Sequence, residues 1–321
     1  MVSGRGRRRS LHAVGMAAMV VAAAIAAVAG VACDGGNGGA RWVREGETVM
    51  RESARSGRLT DKDLDESSGM VASVAEPGVF WSQNDSGNDE ILFAYDSAGR
   101  ALGRVLVRGA KNRDWEALAT LPCPEGQCLV IGDVGDNMAR RRTLQLYRIA
   151  EPLHTAVSVP VRHMLELRYA DGARDVEAMY GGPDGTLWLV TKRHERRRDG
   201  TPRPVRVYAV PRTAWDGAAY DAPVLDSLPV VPEKGTEHDW VTDASLSALM
   251  PDGRRRVVLL TYGAVYLFDA DPATGRPGAL VARCALPIRE RTAESVTWLD
   301  DGRIQVGTEG AMGAIYRGRC P

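Results

Sequence analysis

The chain has 321 residues, of which 44% are hydrophobic, and its 41 lysine and arginine residues balance 41 aspartate and glutamate residues. This composition can fill one large domain or two small ones, and the balanced charge argues against a protein that binds nucleic acid. The 35 glycines and 17 prolines favour many short strands and turns over long helices.

The first 32 residues have the pattern of an export signal. Arginines at positions 5, 7, 8 and 9 precede an apolar stretch, rich in alanine and valine, that runs from Ala13 to Ala32. A basic start followed by such a stretch is typical of a secretory leader. Small residues stand directly before Cys33, and this resembles a bacterial lipoprotein signal, in which the cysteine is lipidated and becomes the first mature residue.

The segment after the leader predicts a tethered protein. Residues 33–40, "CDGGNGGA", suit a flexible link between a membrane and a folded domain of residues 41–321. We therefore expect a monomeric cell-envelope lipoprotein, periplasmic or on the outer face of the cell membrane, anchored through Cys33. Gly30 stands where such signals usually carry Leu, Val or Ile, so ordinary cleavage or an uncleaved anchor stays open.

The rest of the chain repeats one pattern: a polar residue, an apolar stretch, a turn that ends in glycine, and a second apolar stretch. The five turn glycines are Gly78, Gly126, Gly185, Gly253 and Gly302. They are 48, 59, 68 and 49 residues apart, which leaves room for two more strands in each unit, such as Thr143 to Ile149 and Met164 to Tyr169. Four-stranded units of this length predict an all-β protein with a single β-propeller domain.

Counting the repeats predicts five blades. The last unit has only about three strands after Glu294, so we expect an outer strand from Trp42 to Met50 to close the ring, as closed propellers require. A sixth, degenerate blade near Ala214 to Val231 is an alternative, because the longest interval lies there. A β-sandwich is a further alternative, although it accounts less well for five matched hairpins.

Cysteine usage agrees with export. Apart from Cys33, the chain has four cysteines, and we favour two disulfides: Cys123 with Cys128, and Cys284 with Cys320. Four cysteines allow three pairings, so this one is a preference, and free thiols are the alternative. A zinc site is disfavoured because no histidine lies at ligand spacing from them.

The propeller prediction gathers polar residues that are far apart in sequence. The first strand of each blade lines the central channel, and the second strand runs antiparallel to it. The start of the first strand and the end of the second therefore lie at the same mouth of the channel. The residues predicted at this mouth, as a ligand site, are Ser68, Asp85, Glu116, Asp133, Glu177, Lys192, Asp243, Tyr262, Glu294 and Glu309.

Most of these residues are carboxylates, which should raise one another's pKa unless cations intervene. Lys192, a nearby basic residue such as Lys111, or a bound metal could supply the positive charge. Ca²⁺ is the natural candidate because it takes several oxygen ligands. The predicted metal ligands are Glu116, Asp133, Glu177 and Glu294. In an alternative interpretation, these acids accept backbone N–H groups of the next blade and only hold the ring together.

Several phrases carry a family resemblance: "ESSGM", "WSQNDSG", "RDWEALA", "GDVGDN", "RDVEAM" and "TAESVTW". In this order they resemble a widespread group of exported bacterial β-propeller proteins with patterns of the type SGLA, NDSG, DWEDIA, GDIGDN, AEAL and QGEAI. The resemblance covers residues 65–310 and extends more loosely to WD40-like propellers. It extends equally loosely to phytase-like and esterase-like propellers, where carboxylates bind calcium at the channel mouth. "TAES" departs from the usual Gln-Gly-Glu, although Glu294 keeps the acid, and "DASL" places Asp243 in the fourth unit.

Two functions fit these features. The first is a membrane-tethered, non-catalytic propeller that binds a small ligand or a partner protein at the acidic mouth. The alternative is a phosphatase-like or esterase-like hydrolase that uses calcium or another divalent metal, with Lys192 neutralising the developing negative charge. The sequence contains neither a G-x-S-x-G nor an H-E-x-x-H motif, so no catalytic residue is assigned.

Overall fold

The computed structural model describes residues 48–124, 126–193, 198–230, 238–288 and 292–321. The predicted leader, Cys33, the tether and all but the last three residues of the predicted Trp42 to Met50 strand lie outside these ranges. Within them the chain forms 22 strands and one 3-10 helix, Arg212–Asp216.

The strands in the first half of the chain are β1 (Arg51–Arg58), β2 (Ser67–Ala72), β3 (Val79–Asn84), β4 (Ile91–Asp96), β5 (Ala101–Arg108), β6 (Trp115–Cys123), β7 (Gly126–Asp133), β8 (Leu144–Ala150), β9 (Ser158–Pro160) and β10 (His163–Tyr169). Those in the second half are β11 (Val176–Gly181), β12 (Leu187–Thr191), β13 (Val205–Val210), β14 (Ala219–Ala222), β15 (Val224–Leu228), β16 (Val241–Leu246), β17 (Arg255–Thr261), β18 (Ala264–Ala270), β19 (Pro277–Ala285), β20 (Ala293–Trp298), β21 (Ile304–Thr308) and β22 (Ala314–Arg319).

These strands form five sheets, which confirms the five-bladed propeller. Blade 1 is β2 to β5, blade 2 is β6, β7, β8 and β10, blade 3 is β11, β12, β13 and β15, blade 4 is β16 to β19, and blade 5 is β20, β21, β22 and β1. Blades 1 and 2 each gain a fifth strand, because β9 pairs in parallel with β5 and β14 with β10. The six-bladed alternative is wrong: the described part of Ala214 to Val231 extends blade 2 and completes blade 3.

The N-terminal segment closes the ring, as predicted, but with a later strand. β1 is Arg51–Arg58 and pairs antiparallel with β22, whereas the prediction ended at Met50. Met50 is 2% exposed and packs in the core between blades 4 and 5. Its apolar character therefore reflects this burial, and the strand that follows is the polar outer edge of blade 5.

Five apolar clusters hold the blades together, one between each pair of neighbours. Trp81 of blade 1 and Trp115 of blade 2 are fully buried in one of them. The inner strands β2, β6, β11, β16 and β20 contact one another in sequence around the ring. Each blade therefore buries both of its faces, and the inner strands form the wall of a central channel.

Two disulfides have the predicted pairing. Cys123–Cys128 spans the β6–β7 hairpin with a Cα–Cα distance of 5.9 Å, and Cys284–Cys320 joins the end of β19 to the C-terminal residues at 5.7 Å. Disulfides of this kind are typical of oxidising, extracytoplasmic compartments. In the described ranges, no helix has the length and apolar character needed to cross a membrane.

The longer disulfide loop should contribute more to stability. Cys284 and Cys320 are 36 residues apart and Cys123 and Cys128 are 5 apart, and loop-closure entropy predicts losses of about 4 and about 2 kcal/mol for the two Cys→Ala pairs. Guanidinium unfolding without reductant measures both losses. An equal or larger loss for the short loop would show that strain or hairpin packing outweighs chain entropy.

Candidate functional site

A β-bulge stands near the start of the inner strand in every blade. The register of each inner hairpin shifts by one residue there, and the bulged residues are Gly69, Glu116, Glu177, Thr242 and Glu294. A bulge leaves its extra residue outside the ladder and re-aims the side chain. In three blades that residue is a glutamate, so the same backbone feature presents three carboxylates at one end of the channel.

These glutamates belong to a cavity of about 170 Å³, which we name the acidic pocket. All eleven described residues that line it are polar: Glu66, Ser67, Ser68, Asp85, Glu116, Asn137, Glu177, Lys192, Tyr262, Glu294 and Glu309. The structure thus brings together eight of the ten residues predicted at the mouth. Asp85, Lys192, Tyr262 and Glu309 each follow directly after the second strand of a blade.

Asp133 does not line the acidic pocket. It is the ladder partner of Trp115 at the end of β7, a place that Asn84 and Thr191 take in blades 1 and 3. A shift of one residue turns a strand side chain to the opposite face. The Asp133 carboxylate instead lies 2.7 Å from the Arg141 guanidinium, and both side chains are buried.

Asp243 lies one residue past the bulge of blade 4 and does not line the pocket either. Its Oδ2 accepts the backbone N–H groups of Met70 at 3.2 Å and Val296 at 2.7 Å, and its Oδ1 accepts that of Ala244 at 2.8 Å. The side chain is fully buried. Asp243 therefore ties blades 4, 5 and 1 together. This is the alternative role given above, in which an acid accepts backbone N–H groups of neighbouring blades and holds the ring together.

Three residues that line the pocket were missed from the sequence: Glu66, Ser67 and Asn137. Asn137 is the last residue of "GDVGDN", a motif of the family resemblance. Its side-chain oxygen accepts from the Arg193 guanidinium at 2.5 Å. Glu66 stands just before β2 and accepts from the Asn88 amide at 2.7 Å. An acid directly before "SSGM" was the signal available for Glu66.

Lys192 is the one basic residue among the described residues that line the pocket. Its ammonium contacts the Glu177 carboxylate and lies 5.9 Å from the ring centroids of Trp240 and Tyr262. Opposite, the Ser68 hydroxyl donates to Glu116 Oε2 at 3.0 Å. The part of the pocket that the structure describes therefore has one cation, and it is already paired with a buried carboxylate.

Five carboxylates that line the pocket have raised pKa values: those of Asp85, Glu116, Glu177, Glu294 and Glu309. Burial, followed by the charges of Glu66, Glu309 and Asp114, raises the pKa of Asp85 to about 7. Burial is also the main cause that raises the pKa of Glu294 to about 8, with Glu309 adding to it and Lys192 opposing it. The pKa values of Glu116 and Glu177 rise for the same main reason. These carboxyl groups therefore keep their protons to a higher pH than usual, because burial and their mutual repulsion disfavour the ionised forms.

These pKa shifts predict a pH-dependent stability. Glu294 titrates at an ordinary 4.5 when unfolded and at about 8 when folded, so between these values the native state binds more protons and loses stability as pH rises. Glu294→Gln should therefore become more stabilising relative to wild type from pH 5 to pH 9, by about 1–2 kcal/mol. Urea unfolding at both pH values measures this, with exposed Asp300→Asn as the control. A pH-independent difference would contradict the assignment.

The predicted calcium ligands are not gathered around one point. In the part of the chain that the structure describes, no three His, Cys, Asp or Glu side chains are arranged to hold a metal ion. Asp133 is paired with Arg141 and Glu177 with Lys192. Glu116 and Glu294 are the predicted ligands that form no ion pair with another described residue. The four residues therefore do not fit a calcium cage as they stand, and calcium binding stays a prediction.

Comparison with known proteins shows the fold. No protein-family profile matches the chain, and no curated protein matches its sequence. Among solved structures, the GH43_1 enzyme from Xanthomonas citri complexed with xylotriose is 13% identical with a TM-score of 0.51, over 84% of this chain and 90% of that chain. The soluble aldose sugar dehydrogenase from Escherichia coli is 12% identical with a TM-score of 0.43, over 84% and 99% of the two chains.

The Dos1 propeller is a third similar structure, 9% identical with a TM-score of 0.36. The match covers 78% of this chain and 56% of the Dos1 chain. The chain thus spans little more than half of the Dos1 chain. All three identities lie below 25%, so the likeness extends to the β-propeller fold alone.

Proposed function

We propose that this protein is an exported, membrane-tethered β-propeller that binds a small cationic ligand in the acidic pocket. The charges of the described residues that line the pocket support the proposal: six carboxylates and a single ammonium, that of Lys192. Carboxylates that lack a cation are costly to ionise when buried. A cationic ligand that enters the pocket offsets this cost, and the free energy gained appears as binding.

The size of the pocket limits the ligand. A cavity of about 170 Å³ is smaller than the roughly 300–1,000 Å³ of sites for drug-sized molecules. It suits one ammonium or guanidinium group, or a cation with part of its water shell. The Ser68 hydroxyl and the Asn137 amide supply further hydrogen bonds that would orient such a group.

Membrane attachment rests on the sequence before the propeller, and Cys33 is the proposed lipidation site. The small residues before Cys33 and the glycine-rich residues 33–40 support it. The two disulfides are consistent with export. Cys33→Ala should move the protein from the membrane fraction to the soluble extracytoplasmic fraction. Retention of this variant in the membrane would instead support an uncleaved anchor.

Calorimetric titration with butane-1,4-diamine tests ligand binding, and butane-1,4-diol serves as an uncharged ligand of similar shape. We expect saturable binding of the diamine only, with affinity that rises from pH 6 to pH 9 as the pocket carboxylates ionise and release protons. Glu116→Gln with Glu294→Gln should lower that affinity at least tenfold, a loss of about 1.4 kcal/mol or more. Asp300→Asn should leave it within twofold. Equal binding of diamine and diol would contradict the proposal.

The same preparation separates binding from hydrolysis. A panel of phosphate and carboxylate esters, assayed with Ca²⁺ and after chelation, should show no turnover that depends on the pocket. Turnover that requires Ca²⁺ and is lost in Glu116→Gln would replace the binding proposal with the metal-dependent hydrolase, because the pocket would then activate water on a bound ester.

A further inference from the structure

A second cavity, separate from the acidic pocket, lies between two loops of blade 2. It has a volume of about 680 Å³, and the residues that matter for its chemistry are Arg140, Arg142, Arg168, Tyr169, Gly172 and Asp221. We name it the arginine groove. It shares no lining residue with the acidic pocket. Its walls are the β7–β8 loop on one side and the end of β10 with the following loop on the other.

Arg141 fixes the β7–β8 loop and thereby orients its two neighbours. The buried guanidinium of Arg141 bonds the Asp133 carboxylate at 2.7 Å and the Gly135 carbonyl at 2.7 Å, and its backbone N–H donates to Asp136 at 2.6 Å. With Arg141 held inward, Arg140 and Arg142 are both exposed in the groove. The two guanidinium groups are therefore presented by the residues on either side of a buried, bonded arginine.

The charges in the groove are not balanced internally. Neither Arg140 nor Arg142 forms an ion pair with any described residue. Arg168 contacts Glu166 and lies 3.5 Å from Asp221, so its charge is shared with two carboxylates. Tyr169, the residue after Arg168, packs in the apolar core between blades 2 and 3 and is 6% exposed. Arg140 and Arg142 are thus the two guanidinium groups of the groove that no described carboxylate pairs.

We propose that the arginine groove binds the phosphate group of a phosphate ester. Guanidinium groups are planar forks that pair with phosphate oxygens through two parallel hydrogen bonds, and they keep their charge at any physiological pH. The volume of the groove falls in the range of small-molecule sites. The site goes beyond the proposed function, because it takes an anion through residues that the acidic pocket does not use.

Calorimetric titration with inorganic phosphate and with glycerol phosphate tests the site on the whole protein. We expect saturable binding of both to wild type. Arg140→Gln with Arg142→Gln should weaken it at least tenfold, whereas Arg108→Gln, an exposed arginine on β5 of blade 1, should change it less than twofold. Arg142→Lys keeps the charge without the planar fork and should give an intermediate loss. Thermal melts confirm that the variants are folded.

Vesicles identify the source of the phosphate group. Binding to vesicles that contain phosphatidylglycerol, absent in the double variant, would assign the group to a lipid headgroup, whereas binding of soluble esters alone would assign it to a free metabolite; both support the site. The proposal is overturned if wild type binds no phosphate saturably, or if the double variant binds it as wild type does. An equal loss in Arg108→Gln also overturns it, because it would show only non-specific attraction.

Discussion

Lys192→Met is expected to lower the free energy of unfolding by about 3 kcal/mol at pH 8, because it leaves a buried carboxylate without its cation. Glu177, the partner of Lys192, is 1% exposed and the ammonium contacts it directly. At pH 5 the loss should fall to about 1 kcal/mol, since Glu177 can then be protonated and needs no partner. Urea unfolding at both pH values measures the difference, and exposed Lys62→Met is the control.

The same variant should gain affinity for a cation. Lys192 supplies the one ammonium among the described residues that line the acidic pocket, so an amine ligand can take its place when methionine replaces it. We expect the affinity for butane-1,4-diamine to rise about tenfold at pH 8. A variant that loses stability but also loses diamine binding would show that Lys192 orients the ligand site and does not compete with the ligand.

Asp243→Ala is expected to cost about 3–5 kcal/mol, because it strips acceptors from buried N–H groups in three blades. Its carboxylate accepts from Met70, Val296 and Ala244 in the wall of the channel. Guanidinium unfolding measures the loss, and Asp300→Asn, an exposed carboxylate on blade 5, should change stability by less than about 0.5 kcal/mol.

A second readout distinguishes the role of Asp243 from that of the pocket acids. Since Asp243 lies outside the acidic pocket, diamine affinity of the folded Asp243→Asn protein should stay close to wild type. Binding that falls as far as in Glu116→Gln would place Asp243 in the ligand site. A loss of stability below about 1 kcal/mol for Asp243→Ala would mean that water replaces the lost acceptors.

The propeller could be predicted because its repeat is recognisable from the turn glycines. The glycines at 78, 126, 185, 253 and 302 all adopt positive φ in the structure, and few other residues do so without strain. Their spacing therefore predicts the positions of the hairpins, and the repeated hairpins predict the propeller. The closing strand β1 was harder to place, because the sequence "RESARSGR" of this outer edge has no alternation of apolar residues.

The acidic pocket was predicted less completely, because residue spacing in the sequence does not give the pairing register of the two strands in a hairpin. Gly126 is itself paired with Cys123 in the ladder, whereas Gly78 lies in the turn before β3. Asp85 and Asp133 both stand seven residues after the turn glycine of their hairpin. At that distance Asp85 follows its strand and lines the pocket, whereas Asp133 is still the last residue of β7. In blade 4 the bulge falls on Thr242, which turns Asp243 into the channel wall. Bulge positions depend on cross-strand pairing, which a single strand sequence does not reveal.

The bulges also separate the residues that pair the strands from the side chains that lie at the channel mouth. Because a bulged residue takes no part in the ladder, its side chain can change while the strand pairing and the cores between blades stay as they are. Three of the five bulges carry glutamates and a fourth carries the neutral Thr242. Selection for a ligand can therefore change a bulged side chain without changing the strand pairing, so a ring of this kind can diverge in specificity and keep its architecture.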